Sequence, residues 1–166
     1  MKKPKVAIIM GSTTDLPVMS QAREVLHDFK ISTQVEIVSA HRDPEKMVAF
    51  AKSARTNGFA LIIAGAVAAA HLPGMVASLT TVPVIGVPIK LGSLKGLDAW
   101  LSINQMPKGI PVATVAIDGG ANAGLLAVRI LGISDAKLEK KLQRFQIQQK
   151  TKVKKMNQSL RKTRSK

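Results

Sequence analysis

His41 and Arg42 stand side by side and form the most chemically capable pair in the sequence. A histidine exchanges protons near neutral pH more readily than other side chains. An arginine can grip a phosphate or carboxylate with two parallel hydrogen bonds. Both lie in Ser39-Ala40-His41-Arg42-Asp43-Pro44, directly after a short apolar run. A second polar stretch, Gly11-Ser12-Thr13-Thr14-Asp15, brings a glycine, three hydroxyls and a carboxylate to the start of a helical pattern. Free amides and the helix dipole there favour an anion such as phosphate, while Asp15 suits ribose hydroxyls. The same residues also make an ordinary N-cap through Thr14 or Asp15, and the segment alone does not choose between the two. A third stretch, Ala64 to Met75, is packed with Gly and Ala and ends in His71-Leu72-Pro73-Gly74. Small residues admit a ligand close to the backbone, or a helix close to a sheet. His71 stands near a helix start, where the dipole favours a neutral ring. His27 lies within an ordinary amphipathic segment and receives no role.

Other chemistries find no residues to carry them. The chain has no cysteine, so a disulfide scaffold, a thiolate nucleophile and thiolate metal sites are excluded. Its three histidines show no i,i+4 pairing and its ten acids form no oxygen-ligand loop, so no metal is expected. Neither GxxxxGK[ST] nor GxGxxG occurs, and no cofactor is called for.

The elements that must position these stretches alternate regularly. Short apolar runs at 5–10, 35–38, 60–64, 82–87 and 112–117 read as strands, and helical spacing fills about 15–29, 43–57, 72–80, 95–104 and 120–131. Apolar runs without polar alternation indicate strands covered on both faces. Strands separated by helices indicate right-handed crossovers and a parallel sheet. The expected fold is therefore α/β, a three-layer αβα sandwich with a central parallel sheet of flavodoxin or Rossmann type, plus a C-terminal helix. Ligands of such sheets bind beyond the carboxyl ends of the strands, where the three polar stretches lie. Pro83 and Pro88 are expected to bracket the fourth strand.

Charge divides the 166 residues unequally. The formal net charge is +15, of which residues 1–134 carry +5 and residues 135–166 carry +10. The organisation expected is one domain over 1–133 and a basic tail over 134–166 that is not an independent domain. Leu138, Leu142 and Phe145 predict an amphipathic helix from Ser134, as N-cap, to about Lys155, with 157–166 disordered. For the tail's lysines a solvated face and a loose, salt-dependent contact with RNA or another polyanion both stand. The apolar run Val6 to Met10 is too short for an export signal, and Phe59 to Ala70 is too short to span a bilayer. The chain reads as cytoplasmic, with no membrane contact.

Taken in order, the motifs resemble the N5-carboxyaminoimidazole ribonucleotide mutases of purine biosynthesis, the PurE family. The resemblance is carried by Gly11 to Asp15 with Met19, Ser39 to Pro44, Ala69 to Met75, Pro83 to Pro88, Gly96-Leu97-Asp98, Gln105-Met106-Pro107 and Gly109 to Ile117, and it covers about residues 5–132. It implies an isomerase that moves a carboxylate from the exocyclic nitrogen of an imidazole ribonucleotide to ring carbon C4, through decarboxylation and recapture of carbon dioxide. Metal, ATP and organic cofactor are not needed by that family. The resemblance makes His41 the general acid and base, in a small closed pocket. Ser12, Asp15 and Arg42 match substrate-binding residues, with Gly11, Thr14, Ser39 and His71 alongside. The arginine after His41 is similar to the mutase class, whereas a lysine is usual in enzymes that carboxylate the ribonucleotide directly. The family implies a homo-octamer with sites between subunits, for which the apolar helix at 120–131 is a plausible buried surface.

The sequence departs from the family pattern around the expected crevice. Thr14 replaces a serine, Val67-Ala68 stands for Gly-Gly, Lys90-Leu91-Gly92-Ser93 differs from the usual loop, Asn104 replaces an apolar residue, and 118–123 is about two residues short. These changes motivate an alternative, a weakened or inactive ribonucleotide-binding paralogue with a polyanion-binding tail.

Overall fold

The computed structural model describes residues 5–164, with side chains to residue 161. Five parallel strands form one sheet in the order β2-β1-β3-β4-β5, with β1 at Lys5–Met10, β2 at Ser32–Ile37, β3 at Phe59–Val67, β4 at Val84–Ile89 and β5 at Ala113–Thr114. The helices are α1 (Leu16–Asp28), α2 (Pro44–Ser53), α3 (Leu72–Ala77), α4 (Leu97–Asn104), α5 (Gly120–Gly132) and α6 (Ala136–Arg164). The expected α/β architecture with its C-terminal helix is present. The described chain falls into two compact units, one running to Ala127 and one from Val128 onward. No helix among the described residues is long and apolar enough to cross a membrane.

In the first unit, the central strands are apolar because both faces are covered. Ala7, Ile9, Ile62, Ala64 and Ala66 join a core that includes Met47 and Phe50 of α2, Leu72 and Val76 of α3, and Ala99 and Ile103 of α4. Met19, Ala22 and Leu26 of α1 are also fully buried. Two strand glycines mark close approaches. A Cβ on Gly65 would collide with the Met19 sulfur, and one on Gly86 would collide with Cγ2 of Ile103. Alanine at Gly86 would press on the stiff, branched Ile103 of α4, whereas alanine at Gly65 would require the flexible Met19 side chain to move.

Strand limits differ from expectation where pairing, rather than hydrophobicity, decides them. β2 begins at Ser32, three residues before the apolar run, because an edge strand needs one paired side only and tolerates Ser32, Thr33 and Gln34. β3 continues to Val67 because its end still pairs with β4, Val67 opposite Ile89. Pro88 lies inside β4 rather than at its boundary. β5 pairs with β4 only at Ile85 and Gly86, so the donor Pro88 lacks falls beyond the ladder. The Pro88 carbonyl still accepts from the Asp118 amide at 2.9 Å. β5 itself has only two residues instead of six.

The second unit corrects the reading of the tail. α6 runs to Arg164, so 157–164 is helical where disorder was expected, and Ser165 and Lys166 lie outside the described residues. Unbroken spacing of good helix formers, with no Gly or Pro after Gly132, carries the helix on. Its N-cap is Asp135 rather than Ser134. The Asp135 carboxylate accepts from the Lys137 amide at 2.9 Å and the Leu138 amide at 3.2 Å. Leu138 is buried and Leu142 and Phe145 are half-buried, whereas Val153, Met156 and Leu160 are exposed.

Candidate functional site

Parallel register brings the three polar stretches to one edge of the sheet. Met10, the last residue of β1, stands opposite Ile37 of β2 and Gly65 of β3. The chain leaving each strand therefore emerges at nearly the same height. A cavity of about 130 Å³ opens there, lined by Gly11, Ser12, Asp15, Ser39, His41 and Arg42 together with the apolar Ala40, Ala66, Val67, Ala69 and Leu72.

The first stretch folds as a capping box. Thr13–Asp15 forms a 3₁₀ turn; the Ser12 hydroxyl accepts from the Thr14 amide at 3.4 Å, and the Asp15 carboxylate accepts from the Ser12 amide at 3.1 Å. The Ser12-x-x-Asp15 spacing is itself a capping-box signal. The cap is thus shared: Ser12 is the N-cap residue, and Asp15 reaches back as its partner. The Thr14 hydroxyl donates to Asp15 at 3.3 Å, but Thr14 does not border the cavity. Asp15 is only 1% exposed. Burial raises its carboxyl above the ordinary carboxylate value, against the lowering effect of the Ser12 amide, the Thr14 hydroxyl, Gly11 and the Arg42 charge.

Arg42 joins two junctions. Its Nε donates to the Ser39 hydroxyl at 3.1 Å, and its terminal nitrogen donates to the Gly11 carbonyl. One guanidinium edge is thus committed to holding the β1 and β2 junctions together. Asp43 accepts from the Lys46 amide at 3.1 Å and caps α2, which fixes the chain on the far side of His41.

His41 meets His71 across the junctions. Nε2 of His41 lies 2.9 Å from Nδ1 of His71, and the rings are edge-on with centroids 5.0 Å apart. One nitrogen of this contact carries the proton and the other accepts it, so the pair fixes complementary tautomers. Sequence reasoning placed both histidines at the crevice but did not pair them, because 30 residues separate them. His71 does not line the polar cavity; it borders a separate hollow beside Met75 and Met106. Both histidines and Arg42 are exposed, so the closed pocket expected from the sequence is not formed by one chain.

The turn that delivers His71 contains a strained residue. Ala68 has φ of +50°, a left-handed conformation that L residues with a Cβ resist. It is held by the Ala70 amide on the Ala68 carbonyl and the His71 amide on the Ala69 carbonyl, both at 2.8 Å. Ala68→Gly should raise stability by about 1 kcal/mol and the melting temperature by roughly 2–4 °C, read by thermal unfolding. A lower melting temperature would show that the turn carries no strain. Asp118 is also left-handed, with φ of +56°, and its carboxylate accepts from the Lys90 amide at 2.9 Å. The shortened 118–123 segment and the unusual loop after β4 are therefore tied to each other.

Comparisons with known proteins agree with this geometry. Residues 5–152 match the AIR carboxylase family. The N5-carboxyaminoimidazole ribonucleotide mutase of Pyrococcus horikoshii is 57% identical over 92% of this chain and 86% of its own length. Its namesake from Thermotoga maritima is 55% identical over 90% and 88%. The crystal structure of Treponema denticola PurE superposes with a TM-score of 0.84 at 28% identity, covering 92% of this chain and 96% of that one. On this match, the chain belongs to the AIR carboxylase family.

Proposed function

We propose that the chain is an N5-carboxyaminoimidazole ribonucleotide mutase, an isomerase of purine biosynthesis. The observation that carries the reading is the His41–His71 contact beside a cavity whose other polar groups suit a phosphorylated ribose. In this reading His41 gives a proton to the exocyclic nitrogen as the carboxylate leaves. It then takes the C4 proton after carbon dioxide is recaptured. His71 holds the ring of His41 in one tautomer. Ser12, Gly11, Ser39 and Arg42 take the phosphate through hydroxyls, amides and the guanidinium, and Asp15 takes ribose hydroxyls, with Thr14 steadying Asp15. The test is to incubate purified protein with N5-carboxyaminoimidazole ribonucleotide and follow the C4-carboxylated isomer. Turnover no faster than the spontaneous reaction sinks the proposal. The inactive-paralogue alternative is not favoured: relatives named as mutases are above 50% identical.

The same reading extends to assembly and to the tail. A cavity of about 130 Å³ is small for a ribonucleotide, since ligand sites usually span roughly 300–1,000 Å³. A homo-octamer whose neighbouring subunit completes the site accounts for the shortfall and for the exposed histidines. Light scattering on the full chain should give the mass of eight subunits; a monomer mass excludes it. We place the protein in the cytoplasm, where cell fractionation should find it. The catalytic domain is taken as 1–133, with 134–166 as an appended tail. No acidic residue follows Glu139, so the tail favours weak polyanion contact. Removing residues 150–166 should leave turnover unchanged and weaken polyuridylate binding at low salt. Unchanged binding leaves the lysines a solvated face.

A further inference from the structure

The apolar stripe of α6 is continuous, but only its first half is covered. At about 100° per residue, Leu138, Leu142, Phe145, Val153, Met156 and Leu160 fall in one narrow band of the helix surface, broken only by Gln149. Leu138 is buried and Leu142 and Phe145 are half-buried, whereas Val153, Met156 and Leu160 are 55%, 52% and 63% exposed. Ile147 stands on the opposite face and takes no part. The AIR carboxylase match ends at residue 152, so the exposed half of the stripe lies beyond it. Cations run along both flanks of that half. By the same spacing Lys152 borders the stripe on one side, Lys150 and Arg161 border it on the other, and Lys154 and Lys155 stand farther round. No carboxylate side chain follows Glu139.

Whatever covers this surface must answer both its apolar stripe and its charge. A second α6 brings the same positive charge and no acid beyond Glu139, so a like helix is repelled. An RNA neutralises the lysines but leaves Val153, Met156 and Leu160 in water, and no aromatic residue follows Phe145 for a base to stack on. A bilayer carrying anionic lipid meets both features at once. Its headgroups attract each nearby Lys or Arg, and a helix of this kind lies in the headgroup plane with its apolar stripe toward the acyl chains.

We propose that the distal half of α6, from Lys150 to Arg161, is a peripheral docking surface for anionic lipid. The inference rests on the polyanion reading of the tail and names the polyanion. It needs no spanning segment, so the lack of one, on which the expectation of no membrane contact rests, does not oppose it. Val153, Met156 and Leu160 enter the headgroup boundary, while the flanking lysines lay their stems along it and keep their ammonium groups in water. Three apolar side chains make a shallow, reversible contact. The protein therefore remains cytoplasmic, and salt sets the fraction that is bound.

The test compares surfaces and variants on the full chain. Sedimentation is measured with vesicles of phosphatidylcholine alone and with vesicles carrying about one third phosphatidylserine, beside binding to polyuridylate, all at low salt. Binding to the anionic vesicles should exceed binding to the neutral ones about tenfold or more and should fall away at high salt. Met156→Gln combined with Leu160→Gln should weaken anionic-vesicle binding about tenfold and leave polyuridylate binding and turnover unchanged, because every cation remains. Lys152→Gln combined with Lys155→Gln should weaken both kinds of binding. Val153→Gln alone serves if the paired substitution frays the helix. Equal binding to the two kinds of vesicle overturns the proposal. So does full vesicle binding by the Met156 and Leu160 pair, since charge alone would then suffice, and so does equal weakening of vesicle and polyuridylate binding in both that pair and Val153→Gln. A change in assembled mass of the pair by light scattering overturns it as well, because a second copy would then cover the stripe. Polyuridylate binding without vesicle binding removes the lipid proposal alone, whereas loss of both removes the polyanion reading beneath it.

Discussion

His41→Asn should lower kcat by roughly 10²- to 10⁴-fold, the range that a positioned general acid–base group contributes, while KM changes little. Asparagine keeps the approximate size of the ring and a donor, so the site should still fill. It cannot accept and return a proton. Each half of the proposed reaction moves a proton at the same place, first onto nitrogen and then off C4. A single residue that cycles between two protonation states serves both halves, and nothing else polar on the cavity wall is suited to this. Asp15 is committed to the Ser12 amide, and the Arg42 guanidinium is a donor only, committed to Ser39 and the Gly11 carbonyl. The 2.9 Å contact with His71 makes the prediction sharper. If His71 acts by holding the His41 tautomer, His71→Asn should cost less than His41→Asn and should alter the pH profile of kcat more than KM. Steady-state kinetics on the two variants separate these outcomes. Full activity in His41→Asn would remove the acid–base assignment.

The sequence made the order of elements readable and left their ends obscure, for a physical reason. β1, β3 and β4 are covered on both faces, and such strands must be apolar wherever they run. β2 and β5 stand at the edges, where pairing on one side sets the limits and side-chain hydrophobicity does not. Polar Ser32-Thr33-Gln34 therefore belongs to a strand, while apolar Val115 to Ile117 does not. The site followed the same division. Residues adjacent in sequence, such as His41 and Arg42, were legible as a pair. Contacts closed by the fold, such as His41 with His71 and Arg42 with the Gly11 carbonyl, were not, because register between strands is invisible in one sequence. The capping box was legible in principle: Ser12 and Asp15 have its spacing, and burial of the carboxylate is what the spacing alone does not show.

Asp15→Asn should make the protein more stable and the enzyme worse. The carboxylate is almost wholly buried, and that burial raises its proton affinity above that of an exposed aspartate. A carboxyl that binds its proton more readily folded than unfolded favours the folded state when it is protonated. Its contribution is complete below the unfolded value, near pH 4, and is lost as pH rises through the elevated folded value. Above that elevated value the folded chain therefore holds a buried charge that opposes folding. Asparagine removes the charge and keeps an oxygen for the Ser12 amide, which preserves half of the capping box. The melting temperature of Asp15→Asn should accordingly exceed that of the unsubstituted protein at pH 8. The gap should shrink on acidification toward pH 4, as Asp15 takes up its proton. Binding should move the other way. A carboxylate accepting from ribose hydroxyls contributes about 1.5–3 kcal/mol, so KM should rise roughly 10- to 100-fold. Thermal unfolding at the two pH values and steady-state kinetics at pH 8 decide both parts. A variant less stable than its parent at pH 8 would show that the hydrogen bonds from Ser12 and Thr14 outweigh desolvation. An unchanged KM would show that Asp15 is a capping residue alone. The gain in stability and the loss in binding have one origin, since the charge that burial opposes is the charge proposed to hold the ribose.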